Sequence, residues 1–348
     1  MRVLITGATG NVGTSVLSAL QREPGMELVA LARRRPEQVP EGISFVAADI
    51  ARDPLEPHLR GVDAVVHLAW LIQPGRDERL TRAVNVEGSR RVFAAAAAEG
   101  LKTIVHASSV GAYSPGPKDY AVDESWPARG ISSSFYSRQK AEVERTLDDL
   151  EREHPQLRVV RLRPGLIFKR QAATEIRRLF AGPLLPGRLL RPGLIPLVPD
   201  HPRLRLQAVH SDDVADAYSR ALRSDVRGAF NVAAEPVLGG PELARPLRAR
   251  PLRVPAGLLR GAAAAAFSLR VTPTEPGWVD LALQTPLMDC ARAHRELGWQ
   301  PSRSSMAALA ELLEGLREGA DHPTPPLARS TSGPLRMAEL LSGIGRRA

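Results

Sequence analysis

Residues 2–13 read Arg-Val-Leu-Ile-Thr-Gly-Ala-Thr-Gly-Asn-Val-Gly, a strand-like run that passes directly into a glycine-rich turn. The run Arg2–Thr6, apolar and β-branched from Val3 on, fits a strand covered on both faces. Gly7, Gly10 and Gly13 then permit a tight turn, close approach of the backbone to a pyrophosphate, and close packing of the following helix. That helix is expected from Asn11 to Arg22, and its N-terminus offers free N–H groups and a partial positive charge to phosphates. A glycine-rich turn can exist without a ligand, but placement between a buried strand and a helix favours the ligand. Gly7, Thr9, Gly10, Asn11, Val12 and Gly13 are the expected cradle of a dinucleotide.

Working outward, strand-like and helix-like segments alternate, the signature of a parallel sheet covered by helices. Strands are expected at Glu27–Ala32, Ile43–Ala47, Asp63–Leu68, Thr103–Ala107 and Leu157–Leu162, with long helices over Asp77–Glu99 and Ser134–His154. After Pro164 the texture changes, with prolines at 183, 186, 192, 196, 199 and 202. Gln207–His210 then reads as a strand, Ser211–Arg223 as a helix opened by a Ser/Asp cap, and Gly228–Ala233 as a strand returning to the main sheet. The fold class is α/β, a Rossmann-like doubly wound parallel sheet with a smaller, mostly helical C-terminal substrate lobe. Residues 1–163 and 205–235 are assigned to the dinucleotide-binding domain, and 164–204 and 236–319 to the lobe, packed by Trp278, Trp299 and Leu309–Leu316. The Pro/Ser/Arg-rich tail 320–348 is expected to be disordered, with a short amphipathic turn at Met337–Ile344.

Composition narrows the function classes. The chain has 348 residues, 43% hydrophobic and 24% charged, as in an ordinary globular protein. It holds no apolar run long enough to span a bilayer and no room for a signal peptide before the first strand, so no membrane partner and a cytoplasmic location are expected. The single cysteine, Cys290, excludes an intrachain disulfide framework. A net charge of +9 raises nucleic acid as a partner, yet the arginines are scattered among acids and aromatics are only 4%, so none is expected. The histidines show no metal-ligand spacing, and no metal site is expected. His67 and His106 lie within strands, as core groups do, and Asp212 and Asp213 are accounted for as helix caps.

The second strand ends in Arg33-Arg34-Arg35, where NAD sites usually carry a carboxylate for the adenosine ribose. Guanidinium groups there suit a 2′-phosphate, so Arg33 and Arg34 favour NADP, with NAD as the alternative. Asp49, just after the third strand, is placed to meet the adenine edge. Chemistry is carried by Tyr136-Ser-Arg-Gln-Lys140, whose i,i+4 spacing stacks phenol and ammonium on one helical face. Four tyrosines and four lysines predict only ~0.05 such pairs by chance. A phenol titrates near 10, and a neighbouring ammonium is expected to bring it toward the working range. Ser108 and Ser109 follow the fifth strand at the carboxyl edge, where ligands of open α/β sheets bind.

TGATGNVG, DAVVHLAW, NVEGSRRVF, HASSVGAYS, DESWP with YSRQK, RPGLIF and VHSDDVADAY follow one another in order. Together they resemble the short-chain dehydrogenase/reductase superfamily in its extended, epimerase/dehydratase-like branch, over about residues 1 to 235. The resemblance implies Tyr136 as acid/base, Lys140 on the nicotinamide ribose and Ser109, rather than Ser108, orienting substrate. It also implies cofactor contacts at Ile50, Leu68, Ala69, Asn85 and Pro164, Asn85 serving a proton-relay water or the position of its helix. A homodimer through the two long helices follows from the same likeness.

Departures from the branch bear on substrate. Val110 and Gly111 stand where sugar-nucleotide dehydratases carry an acidic pair, so 4,6-dehydration is not expected, and Phe168-Lys-Arg stands where relatives read Tyr-Gly-Pro, which disfavours nucleotide-sugar binding. The leading expectation is an NAD(P)-dependent oxidoreductase acting on a small carbonyl or carbinol compound. An NAD-dependent epimerase of a sugar or sugar nucleotide and a non-catalytic NADP-binding regulator or assembly factor are the rivals. Leu184, Leu185, Leu189, Leu190, Leu194 and Ile195 point to a hydrophobic substrate.

Overall fold

The computed structural model describes residues 1–73, 76–181 and 190–332. Its centre is a seven-stranded parallel sheet. The strands are β1 (Arg2–Thr6), β2 (Glu27–Ala32), β3 (Ile43–Ala47), β4 (Ala64–His67), β5 (Thr103–Ala107), β6 (Arg158–Pro164) and β7 (Gly228–Val232). Their order is β7-β6-β5-β4-β1-β2-β3, so the chain reverses its direction of growth beside β1. That reversal opens a crevice at the carboxyl ends of β1 and β4, the place where doubly wound sheets take ligands.

Both faces of the sheet are covered, which explains why its strands are apolar without a polar side. Side chains alternate between faces, so Val3, Ile5, Val66, Val105 and Val160 pack on one side while Leu4, Val65, Ile104 and Val159 pack on the other. The four principal helices are α1 (Asn11–Leu20), α2 (Gly88–Ala98), α3 (Phe135–Glu153) and α4 (Ser211–Arg223). The first face is closed by α1 and α4, through Val16, Leu20, Val214 and Tyr218. The second is closed by α2 and α3, through Val92, Phe93, Val143 and Leu147.

An outer layer grows from the carboxyl ends of β6 and β7. Leu166–Phe168 pairs parallel with Leu206–His210, which pairs antiparallel with Ala234–Leu238, so the expected Gln207–His210 strand joins this small sheet and not the main one. The helix Ser305–Glu318 covers it, with Leu309 and Leu313 against Ala208 and Leu238. Trp299, expected in the same cluster, is instead fully buried in the main core, its indole N–H donating to the Asp213 carbonyl at 2.7 Å. The segment from Ala320, expected to be disordered, packs through Arg329: Leu327 is fully buried and Arg329 N–H donates to Asp321 Oδ2 at 2.8 Å. Leu184, Leu185, Leu189 and Met337–Ile344 lie outside the described residues. Among the described residues no helix is long and apolar enough to cross a membrane.

Candidate active site

The glycine-rich turn is crowded backbone against backbone. Gly7 adopts φ +67°, and a Cβ there would lie 2.7 Å from Ala69 N. A Cβ on Gly13 would lie 2.4 Å from the Gly7 carbonyl oxygen. Gly10 is different: its Cβ would meet only the Gly7 oxygen at 3.5 Å, leaving that side of the turn open. The first helical bond of α1 runs from Thr14 N–H to the Gly10 carbonyl at 3.0 Å, and no side chain caps the helix. The N–H groups of Asn11, Val12 and Gly13 precede that bond and are the ones a helix leaves for a ligand. Asn11 Nδ2 donates to the Ile167 carbonyl at 3.3 Å, while its buried Oδ1 finds no partner among the described residues. Crowding behind and openness in front suit a dinucleotide pyrophosphate.

The neighbouring strand ends line the same crevice. Ala8 N–H donates to the Leu31 carbonyl at 3.4 Å, which holds the end of β2 beside the turn. Arg33 and Arg34 follow directly and are exposed, whereas Arg35 lies over the Phe45 ring at 5.5 Å. Asp49 Oδ1 accepts from Ala51 N–H at 3.0 Å and shapes its own turn, and Ile50 is buried where Gly88 of α2 comes closest.

A buried chain of hydrogen bonds ties β1 to the loop after β4. Thr6 Oγ1 accepts from Leu68 N–H at 3.2 Å and Ala69 N–H at 3.3 Å, and pairs with His67 Nδ1 at 2.7 Å. With two donors already on it, the hydroxyl gives its proton to His67 Nδ1, and Nε2–H donates to Ser89 Oγ at 2.9 Å. Burial first, and then the Lys140 charge, push the His67 pKa down to about 3, in keeping with this neutral tautomer. Asn85 completes the frame. It sits in a π-helical turn, Ala83–Glu87, inside the segment expected as one α-helix, with α-helix on either side. Its Oδ1 accepts from Leu71 N–H at 2.6 Å, and its Nδ2 donates to the Leu71 carbonyl at 2.9 Å and Gln139 Oε1 at 2.8 Å. Asn85 thus locks the loop after β4 to α3.

Tyr136 and Lys140 share the buried side of α3, which Ser134 opens by accepting from Ser137 N–H. Ser109 caps the short turn Val110–Ala112, its Oγ accepting from Gly111 N–H at 3.0 Å. A Cβ on Gly111 would come within 2.8 Å of the Tyr136 ring, so glycine is what lets the tyrosine reach this serine. The Ser108 hydroxyl turns away to donate to Glu144. Burial pushes the Tyr136 phenol up to about 12, with the Ser109 side chain working against it. The expected downward pull of the ammonium is not seen. Lys140 Nζ instead donates to the Ala107 carbonyl at 2.6 Å and sits 3.4 Å from the Trp70 ring centroid, and burial holds its own pKa well below the usual lysine range.

Several side chains that bound this site escape a reading of motifs. Trp70 stands edge-on to Tyr136 at 5.9 Å, Trp278 lies 4.9 Å from the same ring, and Phe180 meets Trp278 at 4.9 Å. Glu144, one turn beyond Lys140, is buried and takes both Arg163 Nε at 2.8 Å and Nη2 at 2.7 Å, fixing β6 against α3 beside Pro164. A carboxylate on the apolar face of α3, at the spacing of Tyr136 and Lys140, was the available signal. Lys169 donates to Thr14 Oγ1 and Ser15 Oγ, both at 3.0 Å, on the first turn of α1. Asp213 does not cap α4. It accepts from the Ser302 N–H at 2.9 Å and the Arg303 N–H at 3.2 Å, while His210 Nδ1 accepts from Asp212 N–H as the cap. The segment after Ala320 also reaches the site, with Thr324 Oγ1 donating to the Thr9 carbonyl at 2.8 Å.

Comparison with known proteins agrees with this architecture. The sequence profile described as the NAD dependent epimerase/dehydratase family matches residues 3–233. An uncharacterized protein of Mycobacterium tuberculosis is 31% identical over 321 residues, covering 91% of this chain but only 30% of that protein, so the chain spans under a third of its length. Short-chain dehydrogenase/reductase family 42E member 1 of Macaca fascicularis is 28% identical over 240 residues, 64% of this chain and 59% of that one. Among solved structures, UDP-glucose 4-epimerase of Thermotoga maritima superposes with a TM-score of 0.69 at 20% identity over 92% of this chain and 99% of its own. The Thermus thermophilus UDP-glucose 4-epimerase complex with NAD gives 0.68 at 23% identity over 91% and 99%. The fold, the ordered motifs and the matched profile together show that the chain belongs to the NAD-dependent epimerase/dehydratase family, the extended branch of the short-chain dehydrogenases/reductases.

Proposed function

We propose that the chain is an NADP-linked oxidoreductase that interconverts an apolar carbonyl compound and its carbinol. The observation that carries this reading is the Tyr136 phenol beside Ser109 and Lys140, walled by Trp70 and Trp278. A nicotinamide cofactor held at the glycine turn supplies or accepts the hydride. The N–H groups of Asn11, Val12 and Gly13 bind its pyrophosphate, and Arg33 and Arg34 face the adenosine end. Lys140 holds the nicotinamide ribose beside the loop Leu68–Ala69, whose place Asn85 fixes.

Tyr136 acts as the acid in reduction. With its pKa pushed up to about 12, the phenol keeps its proton at neutral pH and can donate it to a substrate carbonyl oxygen. The Ser109 hydroxyl donates a hydrogen bond to the same carbonyl oxygen and sets its distance from the phenol. The aromatic walls remove water and favour a flat or apolar substrate over a sugar. Titrations with NADPH and NADH, followed by nicotinamide fluorescence, test the cofactor half. NADPH is expected to bind more tightly, and Arg33→Asp to remove that preference. Preferential NADH binding in the wild type would overturn the assignment.

A further inference from the structure

A helix whose only charged residue is one arginine is normally buried, yet Ala256–Ser268 (AGLLRGAAAAAFS) has no buried residue. At 13 residues it is about 20 Å long, far too short to cross a membrane. Leu258 is 63% exposed and Leu269, just beyond its end, 76%. Six of the nine exposed large hydrophobic side chains among the described residues fall between positions 194 and 271. Immediately before the helix runs the ribbon strand Arg250–Arg253, paired in parallel with Leu197–Asp200. Its register places Leu197 beside Arg250 and Pro199 beside Leu252, so that one side of the ribbon presents Leu197, Arg250 and Leu252 together.

Charge completes the picture. From Leu243 to Thr274 there are six arginines, all exposed, and no acidic residue. Among the described residues only Arg260 is answered from outside, by Asp280 at 3.0 Å. Over these residues exposed cations are concentrated around exposed leucines.

We propose that this face, the helix with its preceding ribbon, docks peripherally on an anionic phospholipid surface. Exposed apolar side chains enter the headgroup boundary while arginines pair with lipid phosphates, the arrangement of interfacial helices. No spanning segment is needed, so the expectation of no membrane partner, drawn from the missing span, does not bear on this surface. A second copy of the chain is a poor occupant, because a two-fold contact would set the exposed arginines against their own copies, while the nearest acids are engaged elsewhere, Asp280 with Arg260 and Asp200 on the side of the ribbon opposite Arg250 and Leu252. The helix rests on its neighbour Gly277–Gln284 through Arg260 and Asp280, and that neighbour carries Trp278 to Tyr136. The docking face therefore stands one helix away from the candidate active site.

Vesicle flotation of the full chain tests this. Phosphatidylcholine vesicles would be compared with vesicles containing a third phosphatidylglycerol, for wild type, Leu258→Glu/Leu269→Glu and Arg250→Glu. Each arginine near an anionic surface adds roughly a fivefold factor in partitioning, so the wild type should favour the anionic vesicles by more than about tenfold, less at high salt. Both variants should lose this preference, with thermal melts that match the wild type. If one variant fails to melt cooperatively, the other carries the test. Absence of binding to anionic vesicles, or binding that both folded variants retain, would overturn the proposal. So would a dimer in sedimentation that Leu258→Glu/Leu269→Glu dissociates, which would make the face a self-contact.

Discussion

The glycine-rich turn and the helix Ala256–Ser268 both contain glycines, and they use them in opposite ways. A Cβ on Gly7 or Gly13 would drive into backbone atoms at 2.4 to 2.8 Å, whereas a Cβ on Gly257 or Gly261 meets nothing within 4 Å. The first region is specified by backbone packing that admits one residue type. The second is loosely held and presents its apolar side chains outward. The chemistry sits at a junction between the core and the second region: Tyr136 on α3 packs against Trp278, whose helix Gly277–Gln284 holds the exposed helix through Asp280 and Arg260.

The largest effect should come from the junction. Tyr136→Phe removes the proton donor and is expected to lower turnover of a reactive carbonyl by about 10²–10⁴-fold. NADPH affinity, read by fluorescence, should stay near the wild-type value. A variant that keeps full activity would show that the aromatic walls, not the phenol, make the site. Within the crowded turn, Gly13→Ala should abolish measurable cofactor binding and cost roughly 3 kcal/mol or more in a denaturant titration. A nearly neutral Gly13→Ala would break the contrast between the two regions.

Acidity sharpens the same contrast, because burial acts on histidines in the sheet and on carboxylates outside it. His67 is held at about 3 against an ordinary 6.5, so between those values the unfolded chain binds a proton that the folded chain refuses. Stability of the sheet should therefore fall as pH is lowered from 6.5 toward 3, by up to ~1.4 kcal/mol per pH unit, and His67→Gln should flatten the fall. Glu175 and Glu275 are pushed by burial from 4.5 up to about 7. Their stabilising contribution is present below 4.5 and is lost as pH rises through 7. Hydrogen exchange, corrected for its intrinsic pH dependence, should show the sheet opening first in acid and the outer layer loosening toward neutrality. Parallel behaviour of the two would contradict these environments.

The smallest effect is expected in the exposed helix. Gly257→Ala or Gly261→Ala fills open space and relieves the entropy of glycine in a helix, raising stability by up to ~1 kcal/mol each. A destabilising result would mean that something packs closely on that helix.

How far the sequence reveals the molecule differs between the two regions for the same reason. Strands β1, β2, β3 and β5 and helix α4 begin and end where their patterns predict, because a two-faced parallel sheet writes itself as short apolar runs between turns. The π-helical turn at Asn85 is invisible in a pattern that reads as one helix, since its cause is an amide reaching Leu71 and Gln139. Asp213 and Trp299 bond each other's segments across 86 residues, a pairing no local rule for caps could show. Trp70, Trp278 and Phe180 come from three distant stretches, so the walls around Tyr136 become a pocket only in the fold. The packed segment after Ala320 misleads in the same way, its Pro- and Ser-rich composition hiding the contacts of Leu327 and Thr324.

The most direct test is cofactor stoichiometry. Purified chain would be given NADPH and a panel of apolar aldehydes and ketones, with NADPH loss and carbinol formed measured together, for wild type and Tyr136→Phe. One NADPH should be consumed for each carbinol by the wild type and almost none by the variant. Conversion of a sugar substrate with no net change in cofactor, or reduction that Tyr136→Phe supports equally well, would contradict the proposed function.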